Sequence, residues 1–234
     1  MNQRWRRTFS EWATTEEHQQ AVQRAHERIA EALTTHRRAF VSYSGGKDST
    51  ALVHLVLQHE PEIMVLHWDY GRAFVPYAVH RAILDNATAL GVKNLRMETS
   101  ADYVRLGRKA QNVMGRHLIG RLLPALAAEG YDLDFVGLRA EESLKRRRRI
   151  EARRMVSVIE ECWPLWDWRW LDVWAYIVAH NLPYLWLYDS RARLVGYELA
   201  RFTTLFDGEF SALGADALDN VLHWRWRNES TWKS

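Results

Sequence analysis

Two adjacent glycines, Gly45 and Gly46, limit most strongly what this chain can fold into. Residues 39–41 before them are apolar, and a helical pattern of apolar residues begins at Ala51. This order predicts a strand, a tight loop and the first turn of a helix. Glycine lets a backbone turn sharply and approach a ligand, and the N–H groups of a helix's first turn attract anions. Because Lys47 adds a positive charge, we predict that the loop holds a phosphate group.

The loop differs from the common phosphate-binding loop of nucleotide hydrolases. That loop needs a glycine where this chain has Val41, and a serine or threonine where it has Asp48. The G-x-G-x-x-G pattern of dinucleotide-binding folds is also missing from the sequence. Residues 44–49, S-G-G-K-D-S, instead resemble the S-G-G-x-D-S loop of the PP-loop ATP pyrophosphatases, the adenine nucleotide α-hydrolase group. The alternative is an ordinary Gly-Gly turn that carries lysine and serine.

Composition is typical of a globular chain with a substantial core. The chain has 234 residues, of which 47% are hydrophobic, and this length suits one domain with at most a small appendage. It has no apolar run long enough for a membrane span, and its polar, basic beginning is unlike a signal peptide. The one cysteine, Cys162, excludes internal disulfides and cysteine-based zinc sites, and the ten histidines show no ligand-like pair beside a carboxylate. We therefore expect a cytoplasmic protein.

Arginine and tryptophan are unevenly distributed. The net charge is only +3, but arginines concentrate at residues 146–149, 153–154 and 225–227, and the twelve tryptophans cluster after Trp163. Alternating tryptophan and arginine in residues 223–227 could stack on nucleic-acid bases. Packing or a protein interface is the alternative for the tryptophans, and a solvated helix face is the alternative for the first arginine run.

Apolar runs alternate with helical patterns along the chain. Strands are predicted at residues 39–43, 63–68, 94–98, 134–138 and 155–159. Helices are predicted at about residues 14–36, 47–58, 75–90, 113–128, 145–154, 170–180 and 209–221. The order predicts an α/β fold with a doubly wound, mostly parallel five-stranded sheet and helical additions at both ends. The predicted division is an N-terminal helical extension (1–38), a nucleotide-binding domain (39–180) and a C-terminal loop and helical segment (181–234).

Polar residues follow two of the predicted strands. Asp69 and Gly71 come after the second strand, and residues 139–143 come after the fourth. The carboxyl ends of parallel strands form the edge where ligands of open α/β folds bind. Residues 99–112 lack clear periodicity and are predicted to form a loop over this edge.

Three further segments are similar to one branch of the PP-loop group, the phosphoadenosine phosphosulfate (PAPS) reductase family. Residues 137–146 are similar to its G-x-R-x-E-x-S-x-x-R motif. Residues 164–177 are similar to its P-[IL]-x-x-W … D-[VI]-W-x-Y segment, and residues 182–189 with 201–204 match more weakly. With the loop, these segments keep the family's order over about residues 40–204.

The resemblance implies a set of site residues. Those implied to bind the nucleotide are Tyr43, Ser44, Gly45, Gly46, Lys47, Asp48, Ser49, Asp69, Gly71, Gly137, Arg139, Glu141, Ser143 and Arg146. Lys47, Asp48 and Arg139 would also act in catalysis, and Asp48 and Asp69 would hold Mg²⁺. Arginine suits this role because its guanidinium forms bidentate hydrogen bonds with phosphate.

One departure from the family changes the reaction that the resemblance implies. Reductases of this family carry a catalytic cysteine near the C-terminus in an E-C-G-[LI]-H setting, and residues 181–234 contain no cysteine. Cys162 is followed by Trp163 and Pro164, so it does not match that motif, and a small buried residue is its alternative reading. Relatives without the cysteine imply attack at the α-phosphate of ATP, which yields pyrophosphate and AMP or an adenylylated intermediate.

This ATP pyrophosphatase reaction would serve sulfur transfer or nucleic-acid modification, such as DNA phosphorothioation or tRNA thiolation. The implied partners are an adenine nucleotide, DNA or tRNA, and sulfur-donor or modification-complex proteins, with a homodimer as a further expectation and no membrane. Two alternatives stay open. One is reduction of PAPS or adenosine phosphosulfate (APS) with an external thiol, and the other is a non-catalytic nucleotide-binding accessory subunit.

Overall fold

A five-stranded parallel sheet forms the centre of the protein. The computed structural model describes residues 1–72, 74–106, 113–155 and 157–200. The strands are β1 (Ala39–Ser42), β2 (Met64–Asp69), β3 (Asn94–Thr99), β4 (Leu133–Phe135) and β5 (Glu160–Cys162). Their order is β3-β2-β1-β4-β5, and every neighbouring pair is parallel. The predicted α/β class with five parallel strands is confirmed.

The strand order reverses beside β1. The chain runs from β1 outward to β2 and β3, and then returns to the other side of β1 for β4 and β5. Val41 in β1 pairs with Val65 in β2 and with Phe135 in β4, so β1 is buried on both edges. Ligands of doubly wound folds bind at such a reversal, outside the carboxyl ends of the strands. The loop after β1 and the segment after β4 meet at this point.

Helices cover both faces of the sheet. They are α1 (Gln3–Ala13), α2 (Glu16–Thr35), α3 (Lys47–Leu57), α4 (Tyr77–Ala89), α5 (Ala101–Leu106), a π-helical segment (Met114–Leu122) that continues into α6 (Leu123–Ala128), a 3₁₀ turn (Ala140–Glu142), α7 (Leu144–Glu151), α8 (Trp170–Ala179) and α9 (Leu187–Leu199). In the described part of the chain, none of these helices is long and apolar enough to cross a membrane.

The N-terminal helix α1, which the sequence did not predict, joins the main core through aromatic rings. Phe9 is fully buried, and its ring centroid lies 5.4 Å from that of Trp5 and 6.0 Å from that of Trp174 in α8. Tyr197 of α9 completes the cluster, 4.9 Å from Trp174. Offset and edge-to-face aromatic pairs stabilise a core beyond their buried area. The cluster therefore fastens the first and last described helices to α8.

The predicted fifth strand is wrong in position. It was placed at residues 155–159, but β5 spans Glu160–Cys162. Val158 is 72% exposed, whereas Glu161 is buried and forms an ion pair with Arg149 of α7. Glu161 was left out of the predicted strand because a charged residue does not fit an apolar pattern. In the structure, Arg149, 12 residues earlier in the chain, neutralises that charge.

Two further predictions need correction. The loop predicted at the start of the C-terminal segment (181–234) includes Tyr188 and Asp189, but both residues lie in α9. Part of the loop predicted at residues 99–112 is α5, and residues 107–112 lie outside the described residues, as does the predicted helix at 209–221. The predicted domain boundaries at residues 38 and 180 stay predictions.

Four histidines from three helices and an adjoining turn converge at the end of α3 farthest from the glycine loop. His26 Nδ1 of α2 lies 2.8 Å from Nε2 of His59, which follows α3. His54 of α3 lies 5.1 Å, ring to ring, from His180 at the end of α8. His54 Nδ1 also lies 2.8 Å from the hydroxyl of Tyr176. This histidine cluster joins α2 to the sheet-covering helices α3 and α8.

Candidate functional site

The glycine loop after β1 can be built only with glycine at its first position. Gly45 has φ of +79°, and a Cβ there would lie 2.5 Å from Cγ1 of Ile83 in α4. Gly137, which follows β4, leaves space for the start of α3, because its Cβ would lie 3.2 Å from backbone atoms of Asp48 and Ser49. The two glycines therefore bring α4 and the β4 segment into direct contact with the loop.

Hydroxyl groups hold the loop in shape. Ser49 Oγ accepts a hydrogen bond from the backbone N–H of Ser44, 3.2 Å away, and lies 3.1 Å from Ser44 Oγ. Ser49 Oγ donates to the carbonyl of Gly46 at 3.0 Å, and the Gly46 N–H donates to Ser44 Oγ at 3.2 Å. Ser44 and Ser49 thus close a small ring around Gly46, the residue that precedes the first turn of α3.

Two buried cations converge on one carboxylate. Lys47 Nζ lies 2.7 Å from Asp48 Oδ2, and Arg139 Nε lies 2.5 Å from Asp48 Oδ1. Lys47 and Arg139 are each only 2% exposed. Burial alone would raise the pKa of Asp48, but the charges of Arg139 and Lys47 outweigh it and hold that pKa well below its usual value. Burial lowers the pKa of Lys47, against the opposing effect of Asp48. The group is an anion-binding arrangement that holds its own counter-charge.

Acidic residues after β4 orient Arg139. Glu141 Oε2 accepts from Arg139 Nη1 at 2.8 Å and also from the backbone N–H of Trp170, at the start of α8. Glu142 forms an ion pair with Arg146 and accepts from the Arg139 backbone N–H at 3.3 Å. Arg139 is therefore held by its side chain and its backbone.

Ser143 and Arg146 begin helix α7. Ser143 is the residue before the helix, and its Oγ accepts from the Arg146 N–H at 3.2 Å. Because Arg146 pairs with Glu142, it lies on the face of α7 that is directed to the Arg139 segment. The sequence-predicted residues Arg139, Glu141, Ser143 and Arg146 are thus brought together with Lys47 and Asp48.

A tyrosine that the sequence did not assign to the site reaches the loop from α9. The backbone N–H of Lys47 donates to the hydroxyl of Tyr188 at 2.9 Å, and both groups are buried. Tyr188 packs edge-on against Trp174 of α8, with ring centroids 5.1 Å apart. Tyr188 falls in the third and weaker segment of the family resemblance, residues 182–189, so the sequence did single out this region. No pattern in the sequence indicated that Tyr188 contacts the loop.

Tyr43 and Asp69 lie at the edges of this arrangement. Tyr43 is buried, and its hydroxyl donates to the carbonyl of Ile83 at 3.3 Å, so its ring supports α4 beneath the loop. Asp69 ends β2 and is bonded within its own turn: it accepts from the Gly71 N–H at 2.9 Å and pairs with Arg72. Gly71 has φ of +74°, and a Cβ there would lie 2.8 Å from Tyr103.

The predicted metal ligands, Asp48 and Asp69, do not form a metal cage. Both oxygens of Asp48 accept from cations, and Asp69 is engaged by Gly71 and Arg72. Across residues 1–72, 74–106, 113–155 and 157–200, no three histidine, cysteine or carboxylate side chains are placed to hold a metal ion. Mg²⁺ usually takes only one or two carboxylates and completes its shell with water and substrate phosphates. Asp48 or Asp69 could ligate a Mg²⁺ that arrives with a nucleotide only by giving up one of these bonds, and their role as its ligands stays a prediction.

A buried carboxyl lies below the loop, on β4. Asp134 Oδ2 accepts from Ser42 Oγ of β1 at 2.9 Å, and Asp134 pairs in register with Glu161 of β5. Burial, and then the charge of Glu161, raise the pKa of Asp134 well above its usual value. Arg149 neutralises Glu161, with Nη2 to Oε1 at 2.7 Å. Asp134 therefore holds its proton more tightly than an exposed carboxyl does, a property that its apolar strand sequence did not reveal.

Cys162 is part of the sheet rather than of the loop. It lies in β5, and burial raises the pKa of its thiol to about 12. The thiolate is the nucleophilic form of cysteine. Cys162 is partly buried against the main core, and its raised pKa disfavours the thiolate.

The chain is an α/β protein with two buried cations, Lys47 and Arg139, at the reversal of its strand order. Residues 38–201 match the phosphoadenosine phosphosulfate reductase domain, and the chain belongs to that family, within the PP-loop superfamily. Members of this family are enzymes of sulfur metabolism that act on sulfonucleotides such as APS and PAPS.

Similar proteins carry two kinds of name. The chain is 29% identical to the adenosine 5'-phosphosulfate reductase of Bacillus mycoides, over 66% of this chain and 69% of that protein. It is 29% identical to the phosphoadenosine 5'-phosphosulfate reductase of Proteus mirabilis, over 79% and 80% of the two chains. It is 27% identical to sulfate adenylyltransferase subunit 2 of a Rhizobium species, over 71% and 66%. The same family therefore includes proteins named for reduction and for adenylyl transfer.

Proposed function

We propose that this protein binds ATP at the glycine loop and cleaves it between the α- and β-phosphates. An oxygen of an acceptor or of water attacks the α-phosphorus and loses its proton, the bond to the bridging oxygen breaks, and pyrophosphate leaves. The product is an adenylylated acceptor or AMP. The observation that supports this proposal most is the pair of buried cations, Lys47 and Arg139, fixed on either side of Asp48 at the reversal of the strand order.

The charges of the site would let a phosphate group take the place of a carboxylate. Three cations, Lys47, Arg139 and Arg146, are balanced by the three carboxylates of Asp48, Glu141 and Glu142. A phosphate oxygen can take the place of a carboxylate oxygen in the bonds from Lys47 and Arg139. Hydrogen bonds to charged groups are worth about 1.5–3 kcal/mol each, so three or four of them suffice for micromolar binding.

The same cations would stabilise the reaction. Negative charge develops on the departing pyrophosphate, and donors that are already held in place stabilise it without reorganisation. Arg139 meets this condition, because Glu141 holds its guanidinium and Glu142 holds its backbone N–H. Mg²⁺ bound with the nucleotide would supply further positive charge, with Asp48 or Asp69 as its protein ligand.

Cysteine chemistry favours this reaction over reduction by the chain itself. Reduction of a sulfonucleotide by a protein thiol needs an accessible thiolate, and the chain's one cysteine is in β5 with a raised pKa. We therefore propose an activating role, in which the adenylylated acceptor goes on to sulfur transfer or nucleic-acid modification such as DNA phosphorothioation. DNA or tRNA and a sulfur-donor protein are the partners that this role requires.

The test is incubation of the full chain with ATP and Mg²⁺, with AMP and pyrophosphate as the measured products. Arg139→Ala should abolish product formation, because the leaving group loses its fixed donor. Arg28→Ala is the matched control. Arg28 also forms an ion pair with a partly buried carboxylate, that of Asp167, at 2.6 Å, but it lies in α2 and not in the site. Absence of both products, with and without DNA, tRNA and partner proteins, would overturn the proposal.

The names of the relatives favour a second candidate, reduction of APS or PAPS with an external thiol. Release of sulfite from either sulfonucleotide in the presence of thioredoxin would support it. Tight ATP binding with neither set of products would instead indicate a non-catalytic accessory subunit.

A further inference from the structure

Helix α7 carries two kinds of arginine. Arg146 and Arg149 are turned inward and form ion pairs with Glu142 and Glu161. Arg147 and Arg148 are exposed, and neither forms an ion pair with any residue that the structure describes. None of the eight residues of α7 is buried, so the helix lies on the surface. Packing explains the first pair of arginines but not the second.

The exposed charge continues past the end of α7. Arg153 and Arg154 are exposed and, within the described residues, also lack ion pairs. Arg153 has φ of +46°, and the N–H groups of Arg153 and Arg154 donate to the carbonyls of Ile150 and Arg149, both at 3.0 Å. Helices commonly end with glycine in this left-handed conformation. An arginine there is locally unfavourable, and such residues persist where a function needs them.

The position of these side chains connects them to the site. We call Arg147, Arg148, Arg153 and Arg154 the arginine strip. The opposite face of α7 carries Arg146, which pairs with Glu142 beside Arg139. Since Arg146 faces the site, the exposed Arg147 and Arg148 lie on the outer face of the helix that borders the loop. This helix is about 12 Å long over its eight residues.

We propose that the arginine strip binds the phosphate backbone of duplex DNA and so delivers a DNA strand to the nucleotide site. This inference rests on the proposed function for the reason why DNA is bound, but binding itself is measurable without ATP. Glu151 is the acidic residue within the strip, and the arginines outnumber it four to one. Fixed positive charge of this kind binds phosphates with release of counterions.

Duplex DNA is the partner that the surface fits best. Residues 143–155 contain no aromatic side chain, so the strip offers no platform on which the bases of a single strand could stack. A helix with an exposed outer face can enter the major groove of B-DNA, which is about 12 Å wide, whereas the major groove of duplex RNA is too narrow and deep for it. Charge and shape together favour DNA over RNA.

The test measures binding of the full chain to a fluorescent DNA duplex of about 20 base pairs without nucleotide, at several salt concentrations. The double variant Arg147→Ala, Arg148→Ala should weaken binding by about tenfold at low salt and lower the slope of log affinity against log salt by about two. Arg7→Ala with Arg81→Ala is the matched control, because it removes the same charge from exposed side chains in α1 and α4. Glu151→Gln should change affinity in the opposite direction and tighten binding.

Arg153→Gly separates binding from folding. Glycine relieves the left-handed conformation, so this variant should unfold at a higher temperature than the wild type and yet bind DNA more weakly. A general folding defect cannot produce both changes.

The inference would be overturned by wild-type DNA affinity in the strip variants, by an equal loss in the control double variant, or by tighter binding of single-stranded DNA or duplex RNA than of duplex DNA. Loss of binding only on Arg225→Ala with Arg227→Ala would also overturn it, because binding would then belong to the C-terminal residues. ATP cleavage is assayed separately without DNA. If it is absent while the strip variants behave as expected, the DNA surface stands and the proposed reaction fails.

Discussion

The backbone N–H of Lys47 donates a hydrogen bond to the hydroxyl of Tyr188, 2.9 Å away. Lys47 is the first residue of α3, and Tyr188 lies in α9. A first-turn N–H of this kind is the donor that a phosphate-binding loop directs to its ligand. The tyrosine oxygen is therefore bonded to a donor that a phosphate oxygen would use, and α9 is in contact with the loop.

Tyr188→Phe should lower stability and strengthen nucleotide binding. Loss of the hydroxyl leaves the buried Lys47 N–H without this acceptor, which costs about 1–3 kcal/mol in the free protein. A chain of this size would unfold about 2–4 °C lower for each kcal/mol. Because a phosphate oxygen can replace the lost acceptor, ATP should reverse much of the loss, and calorimetry should show a lower Kd. Tyr184→Phe, which removes a hydroxyl bonded to Asp189, should leave the Kd unchanged. Weaker ATP binding by Tyr188→Phe would show that the hydroxyl itself contacts the ligand.

Lys47→Ala should weaken ATP binding by more than tenfold. The ammonium is buried and bonded to the neighbouring Asp48, and its removal would delete a charge-assisted bond to a phosphate oxygen worth about 1.5–3 kcal/mol. Titration calorimetry with ATP and Mg²⁺ measures the change. Lys93→Ala, at an exposed lysine paired with Glu62, is the control. Unchanged affinity in Lys47→Ala would mean that the loop is not the phosphate site.

Gly45→Ala should destabilise the protein more than Gly91→Ala. Both glycines have φ near +80°, at +79° and +84°, so each substitution introduces similar backbone strain of about 1–2 kcal/mol. At Gly91 no atom lies within 4 Å of the added Cβ, whereas at Gly45 the added carbon would clash with Ile83. Overpacking typically adds about 1–3 kcal/mol. Chemical denaturation of the two variants gives the difference, and equal destabilisation would mean that α4 does not pack on the loop as described.

Asp134→Asn should stabilise the protein at high pH and have little effect near pH 4. The pKa of Asp134 is raised in the folded protein by burial and by Glu161, so the folded chain keeps this proton at a pH where the unfolded chain has released it. Stability from this group is present at low pH and is lost as pH rises, by up to about 1.4 kcal/mol per pH unit. Asparagine keeps an acceptor for Ser42 and does not titrate.

Asp132→Asn is the control, because its effect on stability should change with pH in the opposite direction. Burial acts to raise the pKa of Asp132, but the N–H groups of Arg38 and Arg37 outweigh it and lower that pKa. This variant should therefore lose stability at neutral pH, with the difference vanishing as the pH falls. Parallel pH profiles of unfolding for the Asp134 and Asp132 variants would contradict the assignment.

Local chemistry explains which parts of the structure the sequence could predict. The strand, loop and helix around Gly45 and Gly46 follow from neighbouring residues, because apolar runs and glycines act over a few positions. The placement of Arg139 near Lys47 also follows, since both come after strands of a parallel sheet. The sequence therefore indicated the loop and the segment after β4 as one site.

Pairing over long sequence distances explains what the sequence did not predict. Glu161 is buried in a strand with its carboxylate neutralised by Arg149, which lies in a different element. Tyr188 reaches Lys47 across 141 positions of the chain. A polar side chain that owes its place to a distant partner leaves no periodic signal. Asp134, a buried carboxyl whose pKa is raised by burial and by Glu161, belongs to the same class.

The histidine cluster makes the packing of α2 against α3 and α8 sensitive to acid. Burial lowers the pKa of His54 to about 4 and also lowers those of His26 and His180, with neighbouring histidines acting in the same direction. These imidazoles are neutral in the folded chain, so their contribution to stability is full above about pH 6.5 and declines as pH falls toward 4. Mutual repulsion of charged rings would then act where α2 meets α3 and α8. Acidification is expected to detach the N-terminal helices first, while the far end of α3, at the glycine loop, keeps its structure.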